Sequence, residues 1–118
     1  MRIGVKRGSA YDLHLTRTLQ HATVVRGEEG VDVFLDDGLD AAAGIRQPMT
    51  AFVQGRADMR LIDQRFMQIQ QAVGTAKGRH PDTVAFLRAA VEDLKASGFV
   101  SEALRMSGQA DAVVAPPG

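Results

Sequence analysis

The sequence contains no cysteine and no tryptophan, a single tyrosine, and no surplus of charge of either sign. Without cysteine, disulfides, thiolate catalysis and cysteine-based metal sites are excluded, and the absence fits a cytoplasm and a bacterial periplasm alike. Lys+Arg and Asp+Glu both number 14, so the total charge gives no reason to expect a polyanionic partner such as nucleic acid. Aromatics are only 5% of the chain, which also argues against a base-stacking surface. No apolar run approaches the roughly 20 residues that span a bilayer, which points to a soluble chain. The opening MRIGVKRGS leads straight into a strand-like segment and shows no apolar export signal. An exported protein with this sequence would lack its beginning. The 118 residues suit one compact domain or a piece of a larger one, because domains commonly run to about 100 to 150 residues.

What is present alternates between two periods. Ile3 to Lys6 reads as a short buried strand, and after Gly8 the spacing of Tyr11, Leu15 and Leu19 predicts a helix. His21 to Arg26 is β-branched and strand-like, and Glu28-Glu29 opens a helix carrying Val31, Phe34 and Leu35 that ends at Gly38. Leu39 to Gly44 suits a buried strand or a helix, and the alternation of its neighbours decides for a strand. Pro48 marks a first helical position with Gly55 past the helix end, and Met59–Asp63 and Phe66–Ala76 are further extended segments. Pro81 then opens a helix whose Val84, Leu87, Val91 and Leu94 share a face, closed by Gly98 and followed by a shorter helix through Leu104. The proline-containing end is expected to fray.

Strands alternating with helices predict an α/β fold with a mostly parallel sheet, whose ligands bind at the carboxyl ends of the strands. The Gly8-Ser9 turn lies at such an end. Ser9 and Asp12 match a Ser-x-x-Asp capping box, and a helix start offers free N–H groups to a carboxylate or phosphate. Lys6 and Arg7 add positive charge nearby or are simply solvated. The same residues also describe an ordinary capped helix that binds nothing. His14, His21 and His80 show no ligand spacing, so no metal site is expected, and Asp36, Asp37 and Asp40 read as loop chemistry rather than catalysis. Gln68, Gln70 and Gln71 interrupt an apolar segment. Either one of them enters a cleft or core, or the segment is an edge strand with solvated amides.

The succession IGVKRGSAYD, ATVVRGEE, GLDAAAGIRQP, FMQIQQAVGTAKGRHPD and VAFLRAAVEDLKASGFVSEAL resembles the later half of an extracellular solute-binding protein of the amino-acid ABC-transporter type. The similarity runs to about Leu104. It implies a periplasmic-binding-protein-like (type II) lobe, with a second-lobe subdomain at residues 1–66, a return strand and C-terminal helices at 67–109, and a flexible tail at 110–118.

The function implied is binding, without catalysis or cofactor, of a small polar or anionic solute such as an amino acid or organic acid. The full-length protein would deliver it to a transporter permease from a periplasmic or extracellular location. By position in the resemblance, Gly8, Ser9 and Ala10 meet the ligand carboxylate. Lys6 and Gln70 join them as candidates on the residue arguments above. Ile45 stands where the family places an acidic partner for the ligand's ammonium group, which implies either a different organic anion as ligand or a site that has decayed, and the adjacent Arg46 either grips an acid group or is structural beside Pro48. A dehydratase of the same fold and a sensory or partner-binding module are the competing readings. The apolar face of the C-terminal helices requires cover, from the remaining lobe or from a second copy in a homodimer.

Overall fold

A computed structural model describes residues 1–118. It is an α/β fold with a small three-stranded parallel sheet and five helices. The chain divides into two compact units, Met1–Ile69 and Gln70–Gly118.

In the first unit, β1 (Arg2–Lys6) is central, flanked by β2 (Thr23–Gly27) and β3 (Ala41–Ala42), giving the order β2-β1-β3. Both pairings are parallel, with Ile3 opposite Val24 and Ala41, and Val5 opposite Arg26. Helix α1 (Ala10–Thr18) joins β1 to β2, α2 (Gly30–Asp36) joins β2 to β3, and α3 (Arg46–Val53) follows β3.

Strand alternation places these helices on opposite faces. Val5, fully buried, packs with Tyr11 and Leu15 of α1, ringed by Ile3, Leu19, Val24, Ala43 and Met67. Gly4, on the other face, lies under α2. A Cβ at Gly4 would stand 2.7 Å from the Gly30 carbonyl oxygen and about as close to Val33 and Leu39 as atoms approach. The missing side chain is therefore what lets α2 sit down on the central strand.

Several boundaries differ from the sequence expectation. The third strand shrinks from Leu39–Gly44 to two residues, although the Asp40 and Ala43 amides also donate to the Arg2 and Gly4 carbonyls. Helix α3 begins at Arg46, so Pro48 is its third residue rather than its first. The first helical amides have no intrahelical acceptor, and a proline is tolerated anywhere among them. The extended segments expected at Met59–Asp63 and Phe66–Ala76 form no strand. Their β-propensity is local, whereas a strand exists only where a neighbouring backbone takes its hydrogen bonds. Gln68, Gln70 and Gln71 are accordingly exposed and sit in neither a cleft nor a core.

The second unit holds α4 (Pro81–Ala96) and α5 (Phe99–Met106). Pro81 is at the first turn of α4, and His80 caps it by accepting the Asp82 N–H at 3.1 Å. The tail, expected to fray, is tied back to α4: Lys95 donates to the Pro116 carbonyl at 2.9 Å, and the Gly118 amide to Glu92. Neither α4 nor α5 contains a buried residue.

Candidate functional site

The order β2-β1-β3 reverses direction at β1. The chain steps from β1 outward to β2, then crosses back to the far side to make β3. Such a reversal is a topological switch point, where loops leaving adjacent strands diverge and open a crevice beyond their carboxyl ends. Here it lies between β1 and β3. Lys6, Gly8, Ser9 and Ala10 leave β1 at that edge, and Ile45 and Arg46 follow β3 at the same edge.

The β1 side is built around a residue that the sequence reading treated only as a cap. Ser9 Oγ accepts the Asp12 N–H at 3.1 Å, as a capping box requires. The Asp12 carboxylate, however, reaches past the Ser9 amide and takes the N–H of Gly8 at 2.8 Å. Asp12 is 2% exposed. Its carboxylate also accepts from Thr16 Oγ1 at 3.1 Å and from Arg26 Nε at 3.0 Å, while Arg26 Nη2 donates to Thr16 Oγ1 at 2.6 Å. Burial pushes the Asp12 carboxyl up, but the Gly8 amide, then Arg26 and Thr16, outweigh it and hold the group below the ordinary carboxylate range.

Arg26 reaches Asp12 because strand alternation puts it on the face of Val24, which packs against α1. That alternation, together with the one-turn spacing of Asp12 and Thr16, was the sequence signal for this network. Gly8 itself has φ +72°, a left-handed conformation that a side chain resists. The turn is thus fixed twice, by glycine and by the buried carboxylate.

This arrangement narrows what the turn offers a ligand. The Gly8 amide is committed to Asp12, and the Ser9 amide donates to the Lys6 carbonyl at 3.2 Å. The Ala10 and Tyr11 amides, in the first turn of α1 ahead of the first intrahelical bond from Leu13 to Ser9, have no intrahelical acceptor.

Two cations of the edge, Lys6 and Arg46, already have carboxylate partners. Lys6 Nζ lies 2.6 Å from Glu29 Oε1, with both side chains about half exposed, and that hydrogen bond and charge raise the Lys6 pKa. Arg46 Nη1 lies 3.1 Å from Asp63 Oδ1. Ile45 is exposed and precedes α3 as its cap residue without a side-chain hydrogen bond. Gln70 belongs to the second unit. Glu29 and Asp63 were not singled out from sequence, since acidic residues in turns are common and only the fold pairs them with Lys6 and Arg46.

No family model matches the chain, nor does any curated protein or solved structure.

Elsewhere in the first unit, a shallow hollow of about 170 Å³ lies beside β2, lined by Leu15, Thr16, Leu19, Ala22, Val24 and Arg26. It includes none of the ligand residues expected from sequence. Asp40, near the amino end of β1, accepts the Arg2 amide at 2.6 Å and thereby helps hold β3 beside β1.

Proposed function

We propose that this chain is a solute-binding component, or a fragment of one, in which a type II periplasmic-binding-protein-like lobe receives a small polar or anionic solute for an ABC importer. The observation that carries the reading is the β1/β3 switch point, with Lys6, Ser9 and Ala10 on one side and Arg46 on the other. This is the place where open parallel sheets take their ligands, and it coincides with the residues that the sequence resemblance assigns to the ligand.

The chemistry of the edge favours an acid group. Ser9 and the first amides of α1 donate hydrogen bonds, and Lys6 and Arg46 supply charge that a ligand carboxylate would take over from Glu29 and Asp63. No carboxylate stands at Ile45 to hold an ammonium group, so an organic acid fits better than an α-amino acid. Binding of this kind needs no bond-making step. In the resemblance the protein works outside the cytoplasm beside a permease, and a second lobe supplies the rest of the contact.

Calorimetry and thermal unfolding in the presence of amino acids, keto acids and dicarboxylates test the reading. Stabilisation by dicarboxylates or keto acids that is lost in Arg46→Met supports it. Stabilisation unaffected by Arg46→Met overturns it, and none from any acid overturns the intact receptor and leaves the fragment, whose second lobe supplies the rest of the contact.

A further inference from the structure

Helix α5 has two apolar sides. Val100 and Leu104 are partly covered, while Phe99 and Met106 are 60% and 76% exposed and Ala103 between them is also exposed. Phe99, Ala103 and Met106 follow one another at helical spacing, and with Glu102 and Ser107 they line a single groove. The stripe reads large, small, large. Along its border Glu102 and Arg105 form an ion pair one turn apart, with Arg105 Nε 2.9 Å from Glu102.

We propose that this stripe is a self-association surface whose occupant is α5 of a second copy of the chain. In an antiparallel pairing about a two-fold axis beside Ala103, Glu102 stands opposite the second copy's Arg105, and Arg105 opposite its Glu102. The same register sets Ala103 beside its own copy, where a small side chain lets helices approach closely, and lays Phe99 against the second copy's Met106. Shape and charge are both self-complementary, which is the requirement of an isologous interface. The pairing uses the outward side of α5 rather than the Val84/Leu87/Val91/Leu94 face of α4. Of that face Leu87 and Val91 are partly covered, and Val84 and Leu94 are 40% and 42% exposed. Two eight-residue helices cover less than the roughly 800 Å² per partner of a standard interface, so the dimer is weak and concentration-dependent.

The absence of cysteine makes the test direct. In the full chain, Ala103→Cys is expected to form a disulfide-linked dimer under mild oxidation, whereas Ser101→Cys, on the opposite side of α5, is not. Sedimentation of the unmodified chain is expected to show mass rising with concentration, and Ala103→Glu, a good helix former that sets like charges at the axis, to remain monomeric. Circular dichroism verifies that α5 persists in that variant, and Met106→Lys serves in its place if it does not. A monomer at all concentrations, equal crosslinking of both cysteine variants, or a dimer unaffected by the charge substitution would overturn the proposal.

Discussion

The Asp12 carboxylate accepts the backbone N–H of Gly8 at 2.8 Å, four residues back and outside the helix that Asp12 belongs to. With Ser9 Oγ capping the Asp12 amide in return, the β1–α1 turn is closed from both directions. Arg26 on β2 then ties the turn to the neighbouring strand.

Removing the carboxylate should therefore loosen the turn and the sheet together. Asp12→Ala leaves the Gly8 amide and Arg26 without their acceptor, and a hydrogen bond to a charged group contributes about 1.5–3 kcal/mol. Because Arg26 is about a third exposed, water recovers part of its loss, so the expected cost is about 2–3 kcal/mol in total. Urea unfolding followed by circular dichroism measures it. A midpoint equal to that of the unmodified chain would show that the network contributes nothing.

The same carboxylate gives stability a sign with pH. Its folded pKa is depressed, so its contribution is fully present above the ordinary carboxylate range, about pH 4. It is lost as pH falls below that range through the depressed value. In Asp12→Asn this component disappears, and the stability profile below about pH 5 becomes flatter than that of the unmodified chain. Parallel profiles would mean that other carboxylates govern acid unfolding.

Two glycines of the first unit should fail for different reasons. Gly4→Ala drives a methyl group toward the Gly30 carbonyl of α2, an overpacking that costs about 1–3 kcal/mol. Gly8→Ala meets no atom within 4 Å, yet the left-handed backbone costs about 1–2 kcal/mol. Chemical denaturation measures both costs. Amide exchange separates them, with Gly4→Ala expected to deprotect α2 and β1, and Gly8→Ala only the start of α1. Matching exchange patterns would contradict this division.

Local signals carried part of the fold. The short buried strand β1, the β-branched run of β2, the Ser9/Asp12 cap and the Pro81 helix start are decided within a few residues of themselves, and they appear close to where the sequence puts them. What was not legible depends on distant partners. Met59–Asp63 and Phe66–Ala76 have strand-like composition, but the sheet consists only of β1, β2 and β3. Phe66 instead meets the His14 ring at 6.0 Å, and Met67 packs on the α1 side of the core. In the candidate site, the turn that holds Ser9 was legible from its place after a strand, Lys6 only as a charge near that turn, and Arg46 only through the family resemblance. The pairing of Lys6 and Arg46 with Glu29 and Asp63, and the capture of the Gly8 amide by Asp12, arise only when the strands assemble.

Displacement of those carboxylates is a testable part of the binding account. Asp63→Asn frees Arg46, and Glu29→Gln frees Lys6, so each substitution is expected to strengthen binding of a dicarboxylate such as succinate severalfold without changing the unfolding midpoint measured in its absence. Calorimetric titration reads the affinity. Unchanged or weakened binding would mean that the two pairs do not compete with a ligand.

The most direct test is a nuclear magnetic resonance titration of the ¹⁵N-labelled chain with succinate and 2-oxoglutarate. A solute site at the switch point predicts amide shifts that concentrate at Ser9, Ala10, Tyr11 and the start of α3 around Arg46, and that vanish in Arg46→Met. Shifts scattered over the surface, centred elsewhere, or absent at millimolar ligand would contradict a solute site at the β1/β3 switch point.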